Sequence, residues 1–292
     1  MASESEKGGV KPSPRNPQQN PPGVEDRLRP QADHGEQSYR GAGKLDGLAA
    51  IITGGDSGIG RAVAIAFARE GADVAIGYAA PEEEKDAIET QSWVEEAGRR
   101  CIPHRFDVRE PGECRAFVRA VHGAFGRLDV LVNNAAFQME RESLAEVTDE
   151  EIDRTFRTNI FGYIYMARAA LEVMQGGGVI LNTGSVTALQ GNKGLIPYSS
   201  TKGAIHTFTM SLAQSVAERG IRVNCVAPGP VWTPLIPATL DEEHVKRFGA
   251  DTLFGRPAQP AELAPLYVFL ASNDARYVTG EILAATGRGG TR

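Results

Sequence analysis

Thr53-Gly54-Gly55-Asp56-Ser57-Gly58-Ile59-Gly60 stands directly between the apolar run LAAIIT (48–53) and the Ala-rich stretch Gly60–Glu70, and its reading decides the fold. An apolar run that ends in a glycine cluster and reopens as a small-residue helix is a strand, a tight turn and a helix pressed close to a sheet. Glycines there let the main chain approach a pyrophosphate, whose charge sits at the positive N-terminus of the helix. The spacing is Gly-x-x-x-Gly-x-Gly, not the commoner Gly-x-Gly-x-x-Gly. A Gly-rich turn demanded by packing alone is the bland alternative, and the flanking strand and helix argue against it.

Outward from this turn the same alternation continues. The runs DVAIGY (73–78), CIPHRF (101–106), DVLVNN (129–134), VILNT (179–183), RVNCVA (222–227) and EILAA (281–285) read as further strands, with stretches of helical period between them. Strands buried on both faces are near-continuous apolar runs, so the pattern predicts an α/β, doubly wound, mostly parallel seven-stranded sheet with helices on both faces. Thr148 and Glu151 form a capping box that opens a helix near Asp149. No repeat or composition break marks a second folded domain. The catalytic domain is expected at 45–292, with a lid at about 229–257. Residues 1–44 hold Pro12, Pro14, Pro17, Pro21, Pro22 and Pro30 and no Ile, Phe or Trp, which predicts a flexible arm or one that wraps a neighbouring subunit.

The chain has 292 residues, 41% of them hydrophobic, enough for a sizeable core. Its 31 Lys and Arg against 37 Asp and Glu give a formal charge of -6, which argues against nucleic acid as a partner. The cysteines, Cys101, Cys114 and Cys225, are odd in number and widely spaced, which argues against a disulfide framework and structural zinc and favours the reducing cytoplasm. No apolar run reaches the length of about 20 residues a membrane helix needs, and MASESEKGGV lacks the apolar stretch of a signal peptide. The histidines form no metal-ligand pattern in the sequence and read as surface or packed residues, His206 pointing away from the chemistry.

Tyr198-Ser199-Ser200-Thr201-Lys202 puts a phenol and an ammonium on one helix face, a pairing that chance alone often produces. Ser185 stands at the end of the fifth strand, where strand ends line the ligand crevice, and Asn159 lies in the preceding helix. With the TGGDSGIG turn, Asn133-Asn134-Ala135-Ala136 and Pro228-Gly229-Pro230-Val231-Trp232-Thr233, these residues make the chain resemble the short-chain dehydrogenase/reductase family over roughly 45–287. The Pro-rich arm and the stretch around the turn look closest to NADP-dependent aldehyde reductases and glucose/ribitol dehydrogenase homologues.

The resemblance implies a Rossmann-type fold and hydride transfer between a nicotinamide cofactor and the carbonyl or alcohol carbon of a small aldehyde, ketone or sugar-like substrate. Tyr198 would be the general acid or base, with its pKa lowered by the Lys202 charge. Ser185 would bond the substrate oxygen, and Asn159 would anchor a water linking Lys202 to solvent. Cofactor contacts would come from Gly54, Asp56, Ser57, Gly58, Ile59 and Gly60 of the turn, and from Tyr78, Asp107, Val108, Asn134, Ala135 and Thr183. Tyr198, Lys202, Pro228, Gly229, Val231 and Thr233 complete the set. Asp107 would meet the adenine, its bland alternative being a loop cap. No acid follows Gly77-Tyr78-Ala79 at the second strand end, which favours NADP(H), with NAD(H) the alternative; Glu82, Glu83 and Glu84 nearby and the lack of an Arg weigh the other way.

A homotetramer is implied as well, through helices whose Phe161, Tyr163, Phe208 and Leu212 exceed what one sheet face can cover. Trp232 reads as pocket wall or lid anchor, and Gln138 as a donor to a polar substrate. The rival function is a non-catalytic NAD(P)-sensing regulator on the same fold, which would be expected to have lost Tyr198 or Lys202. An epimerase or dehydratase would carry a larger C-terminal substrate domain. Gly184 stands where many relatives have a second Ser, and Thr187 and Ala136 where Gly is frequent.

Overall fold

The computed structural model describes residues 16–288, so what the sequence predicts for 1–15 and for 289–292 of the GRGGTR end lies outside the described residues. Among the described residues seven strands form one sheet: β1 (Ala49–Thr53), β2 (Asp73–Tyr78), β3 (Cys101–Arg105), β4 (Val130–Asn133), β5 (Val179–Thr183), β6 (Arg222–Pro228) and β7 (Ile282–Ala285). Their order is β3-β2-β1-β4-β5-β6-β7, and every pairing is parallel. The sheet expected to be mostly parallel is wholly so. Each run read as a strand is one, with ends shifted by a residue at most.

The helices are α1 (Gly58–Arg69), α2 (Glu84–Glu96), α3 (Pro111–Phe125), α4 (Asp149–Phe156), a π-turn (Arg157–Phe161) leading into α5 (Gly162–Val173), α6 (Thr187–Gln190), α7 (Ile196–Val216), α8 (Leu235–Thr239), α9 (Glu242–Arg247) and α10 (Pro260–Ala271). Strand residues alternate between the two faces. Ala50, Ile52, Val130 and Val132 pack with Ala62, Ala66 and Phe67 of α1 and Leu263 and Tyr267 of α10. Ile51, Leu131 and Ile180 pack with Phe117 and Val121 of α3, Met166 and Ala170 of α5 and Val216 of α7. Each such large side chain, taken out of water completely, contributes about 2 kcal/mol. The capping box is present, Thr148 accepting from the Glu151 amide at 3.2 Å while the Glu151 carboxylate accepts from the Thr148 amide.

Because the chain crosses from β1 to β4 by way of β2 and β3, the strand order reverses between β1 and β4, and a crevice opens at their C-terminal ends. A cleft of about 1960 Å³ lies there, reaching from Gly54 and Ser57 to Ser185, Tyr198 and Pro228.

The arm departs from what its composition predicts. Residues 16–44 lie against the domain they precede, not free of it. Leu28 is completely buried among Trp232, Ile236, Leu240 and Val245. The Trp232 indole donates to the Pro30 carbonyl at 2.8 Å, and Gln18 donates to the Pro237 and Leu240 carbonyls at 2.7 and 2.8 Å. Trp232 is thereby an anchor of the segment 229–257. Few apolar residues are present in the arm, but the one large aliphatic side chain at its centre falls where the segment after β6 leaves a socket. Leu28→Ala should lower unfolding stability by about 2–4 kcal/mol, measured by denaturant titration of the full chain, as expected for a cavity in a packed cluster; a loss near zero would mean that the arm carries no packing.

Candidate active site

The turn between β1 and α1 is held by close approach. A Cβ on Gly60 would come within 1.8 Å of the Gly54 carbonyl oxygen, so the first turn of α1 sits directly on the strand end. Asn134, just past β4, donates to the carbonyls of Thr53 and Gly54 at 3.2 and 3.1 Å, and the Thr53 hydroxyl accepts from the Asn134 and Ala135 amides. The two strand ends that flank the crevice are therefore locked together. With the N-terminus of α1 set directly on the strand end and a cradle that admits no side chain, the turn fits the pyrophosphate of a dinucleotide.

At the far end of this half, one of the three glutamates that follow the second strand in the sequence folds back to the strand end. Glu83, in the turn after β2, reaches back so that its carboxylate accepts from the Ala79 and Ala80 amides at 2.9 and 2.7 Å. Asp56 lies buried close by. Burial and the neighbouring Glu83 push the Asp56 carboxyl well above the usual range, and Glu83 is raised as well, first by burial. Both carboxyls are thus harder to ionise than in water. The Asp107 carboxylate holds Arg109 through its main-chain amide at 2.9 Å and through its guanidinium, the geometry of a loop cap, while Val108 and Tyr78 line the cleft. Asp129 accepts from the Ala49 amide at 2.8 Å, binding backbone at the base of the sheet.

The other half of the cleft holds the catalytic candidates. α7 carries Tyr198 and Lys202 on one face, and β5 delivers Ser185 beside them. Lys202 is buried, and its ammonium donates to the Thr183 carbonyl at 2.7 Å. It stands 5.4 and 5.5 Å from the ring centres of Tyr198 and Tyr163. Burial pulls its pKa down to about 8. Burial also pushes the Tyr198 phenol up to about 12, with the Ser185 hydroxyl opposing. A low-dielectric site disfavours both charges, and the ammonium is turned to Thr183.

Ser185 Oγ accepts from the Thr187 amide at 3.1 Å and hydroxyl at 3.0 Å. With its acceptor side engaged, its own O–H is left to donate into the cleft. Thr187 does this positioning and was passed over in the sequence, which shows only a Thr where Gly is frequent. Asn159 lies in the π-turn with its side chain wholly engaged by protein, accepting from the Phe137 amide at 2.8 Å and donating to the Phe137 carbonyl at 2.8 Å and the Thr201 hydroxyl at 3.1 Å. It clamps the π-turn to α7 and to the segment after β4.

His206 is likewise placed otherwise than the sequence predicts. It is buried beneath Ser185: a Cβ on Gly184 would meet its Nε2 at 2.5 Å and the Cys225 sulfur at 2.7 Å, so the imidazole fills the space a serine would need. Burial and the Lys202 charge keep it neutral. Gln138 donates to the Thr239 hydroxyl at 2.9 Å and ties down α8. His244 of α9 stands within 2.9 Å of both Glu140 and Asp241, a grouping the sequence does not suggest, and it fastens α9 to the segment after β4 as an ion pair. Tyr163, expected at a subunit contact, is core, whereas Phe161, Ile164 and Met210 are exposed. Among the described residues no helix is long and apolar enough to cross a membrane.

The comparisons with known proteins agree with this architecture. A family model described as enoyl-(acyl carrier protein) reductase matches residues 54–287. A glucose and ribitol dehydrogenase homolog of Oryza sativa subsp. japonica is 48% identical over 290 residues, covering 94% of this chain and 96% of the relative. The NADPH-dependent aldehyde reductase 1, chloroplastic, of Arabidopsis thaliana is 47% identical over 271 residues, covering 91% and 94%. A crystal structure of a short chain dehydrogenase from Burkholderia cenocepacia in complex with NADP superposes with a TM-score of 0.79 at 34% identity, covering 84% of this chain and 98% of that one. The chain belongs to the short-chain dehydrogenase/reductase family, oxidoreductases that act on CH–OH and C=O groups.

Proposed function

We propose that the protein uses NADP(H) to interconvert a small aldehyde, ketone or sugar-like carbonyl and its alcohol, with Tyr198 as general acid in reduction and general base in oxidation. One observation carries this reading: Ser185, Tyr198 and Lys202 converge on the wall of the same cleft whose other end is the Gly-rich turn. Gly54, Ser57, Ile59, Asn134, Val231 and Thr233 would hold the dinucleotide, whose nicotinamide supplies or takes up hydride when bound.

The chain's own groups divide the remaining work. Tyr198, with a pKa near 12, is protonated at neutral pH and can give that proton to a developing alkoxide. Ser185, its proton turned outward by Thr187, donates to the substrate oxygen and stabilises charge that grows there. Lys202 places a positive charge beneath the phenol, held in place by the Thr183 carbonyl, with its other N–H groups left to donate to cofactor ribose hydroxyls. The segment after β6, with α8 and α9, forms the lid over the substrate end, pinned by Trp232, Gln138 and His244.

NADP(H) is favoured over NAD(H) because the Glu83 carboxylate at the β2 end is turned back onto the Ala79 and Ala80 amides and because the Arabidopsis relative is named NADPH-dependent. A homotetramer would use the exposed Phe161, Ile164 and Met210, and light scattering would count its subunits. The sensing reading leaves the pairing of the Tyr198 phenol with Ser185 without a use.

Tyr198→Phe should bind NADPH as the parent does, measured by fluorescence titration, and lose turnover on aldehydes, ketones and sugars by a factor of about 100–10,000. Turnover near the parent level would refute the assignment, and cofactor binding without turnover in the parent itself would favour the sensor. In reduction, kcat/KM should hold steady up to neutral pH and fall as pH rises through about 8, because Lys202 carries its charge below its folded pKa and loses it above. A profile that climbs through that range would show that the ammonium is not needed.

A further inference from the structure

Glu25, on the arm, is 1% exposed and is aimed at the phosphate turn. Its Oε2 accepts from the Gly58 amide at 3.1 Å and lies 3.3 Å from His34 Nε2. His34 in turn pairs with Glu36 through Nδ1 at 2.9 Å. The Glu25 amide donates to Asp86 at 2.7 Å, and Arg61 of α1 faces Asp86 at 3.7 Å and Glu89 at 3.3 Å. A buried chain of charges therefore runs from the arm to the amide of a glycine in the turn. Independently, Pro21, Pro22 and Gly23 line the same cleft as Gly58, Tyr198 and Thr233. Gly23 packs on the lid, where a Cβ would come within 2.3 Å of the Pro234 carbonyl oxygen, and a Cβ on Gly58 would meet Thr233 at 2.9 Å. Turn, lid and arm thus meet at one point.

Burying a carboxylate costs several kcal/mol unless it is paired, and packing alone would be served as well by an apolar residue. A carboxylate beside amides that receive a pyrophosphate would also repel it unless a cation balances the charge. Burial alone would lower the His34 pKa, but the Glu25 carboxylate and the hydrogen bonds that the imidazole donates to Glu25 and Glu36 outweigh it and push it up to about 9, so the imidazole is a cation at neutral pH.

We propose that the arm is a built-in part of the dinucleotide site: Glu25, neutralised by His34, is a positioning residue that holds the Gly58 amide, while Pro21–Gly23 close the cleft against the lid. Arm docking and dinucleotide binding then reinforce each other by the same free energy, since coupling between two binding events is reciprocal. The proposal rests on the reading of the turn as a dinucleotide site.

The test is a fluorescence titration of the full chain with NADPH, alongside kcat at saturating NADPH. His34→Gln leaves the Glu25 charge unbalanced and should raise the NADPH Kd about tenfold with little change in kcat, the scale on which one unpaired charge acts across a partly buried site. Glu25→Gln keeps an acceptor for the Gly58 amide and should shift Kd less than about threefold, and the double variant Glu25→Gln/His34→Gln should return to within about threefold of the parent. A double variant as weak as His34→Gln alone would show lost packing and overturn the proposal, as would a parent-like Kd in His34→Gln. If His34→Gln does not fold, Gly23→Ala, which presses the arm off Pro234, must raise Kd by about threefold or more, and an unchanged Kd there overturns the proposal. A parent chain that binds neither NADPH nor NADH would instead sink the dinucleotide reading.

Discussion

One buried ammonium organises the centre of the molecule. Lys202 lies under the sheet's C-terminal edge, and among the described residues the Thr183 carbonyl, at 2.7 Å, is the oxygen that receives it. Burying a charge is tolerated only where a dipole or counter-charge meets it, so β5 must end where it does and α7 must lie across that end. Much else follows from this geometry. Tyr163 and Tyr267 hydrogen-bond Thr183 from the two sides, Tyr163 to its carbonyl at 3.3 Å and Tyr267 to its hydroxyl at 2.8 Å, and so fix the strand end that holds the lysine. His206 and Cys225 occupy the space behind Gly184, and the imidazole is kept neutral partly because a second cation beside Lys202 would be repelled. A serine at 184 would compete with that imidazole for the same volume, which accounts for the glycine at this position.

The second constraint lies on the other side of the crevice, where acids gather around a turn that also has to receive phosphates. Asp56, Glu83, Asp86 and Glu25 all approach α1 or the β2 end, yet their charges are not simply added. Burial and neighbouring carboxylates raise the pKa of Asp56 and of Glu83, whereas that of Glu25 is lowered because His34 stands against it. The field at the turn is consequently set by which acids hold protons, a property of packing that a charge count cannot convey.

The legibility of the sequence follows the same division. Strands were readable because a parallel sheet covered on both faces needs continuous apolar runs such as LAAIIT and VILNT, and the turn was readable because a close approach like that of Gly60 tolerates no other residue. Ser185, Tyr198 and Lys202 were readable as residue types whose chemistry belongs together. The docking of the arm was not, since it depends on one leucine meeting a socket made by Trp232 and α8, with hydrogen bonds from isolated glutamines that carry no periodic signal. The fold-back of Glu83 and the burial of His206 beneath Ser185 were not legible for a related reason. Each acts across a fold-back, one from a turn to the strand before it and the other from a helix to a neighbouring strand end, and such meetings exist only once the chain is assembled.

These contacts also bear on whether the cleft is a reaction site or only a receptor. A receptor for dinucleotide needs the turn, the β1–β4 lock and the wall at Val231 and Thr233, all of which lie away from Ser185. Thr187 nonetheless spends both its amide and its hydroxyl on the acceptor side of Ser185, directing the serine proton toward the Tyr198 phenol at the cleft wall, and α7 carries that phenol, which burial keeps protonated, beside it. Two hydroxyls held in fixed orientation at one point of the cleft cost side-chain freedom and are useful for holding an oxygen that is gaining charge. That cost is intelligible in a chain that performs the chemistry, and it has no counterpart in one that merely senses the cofactor.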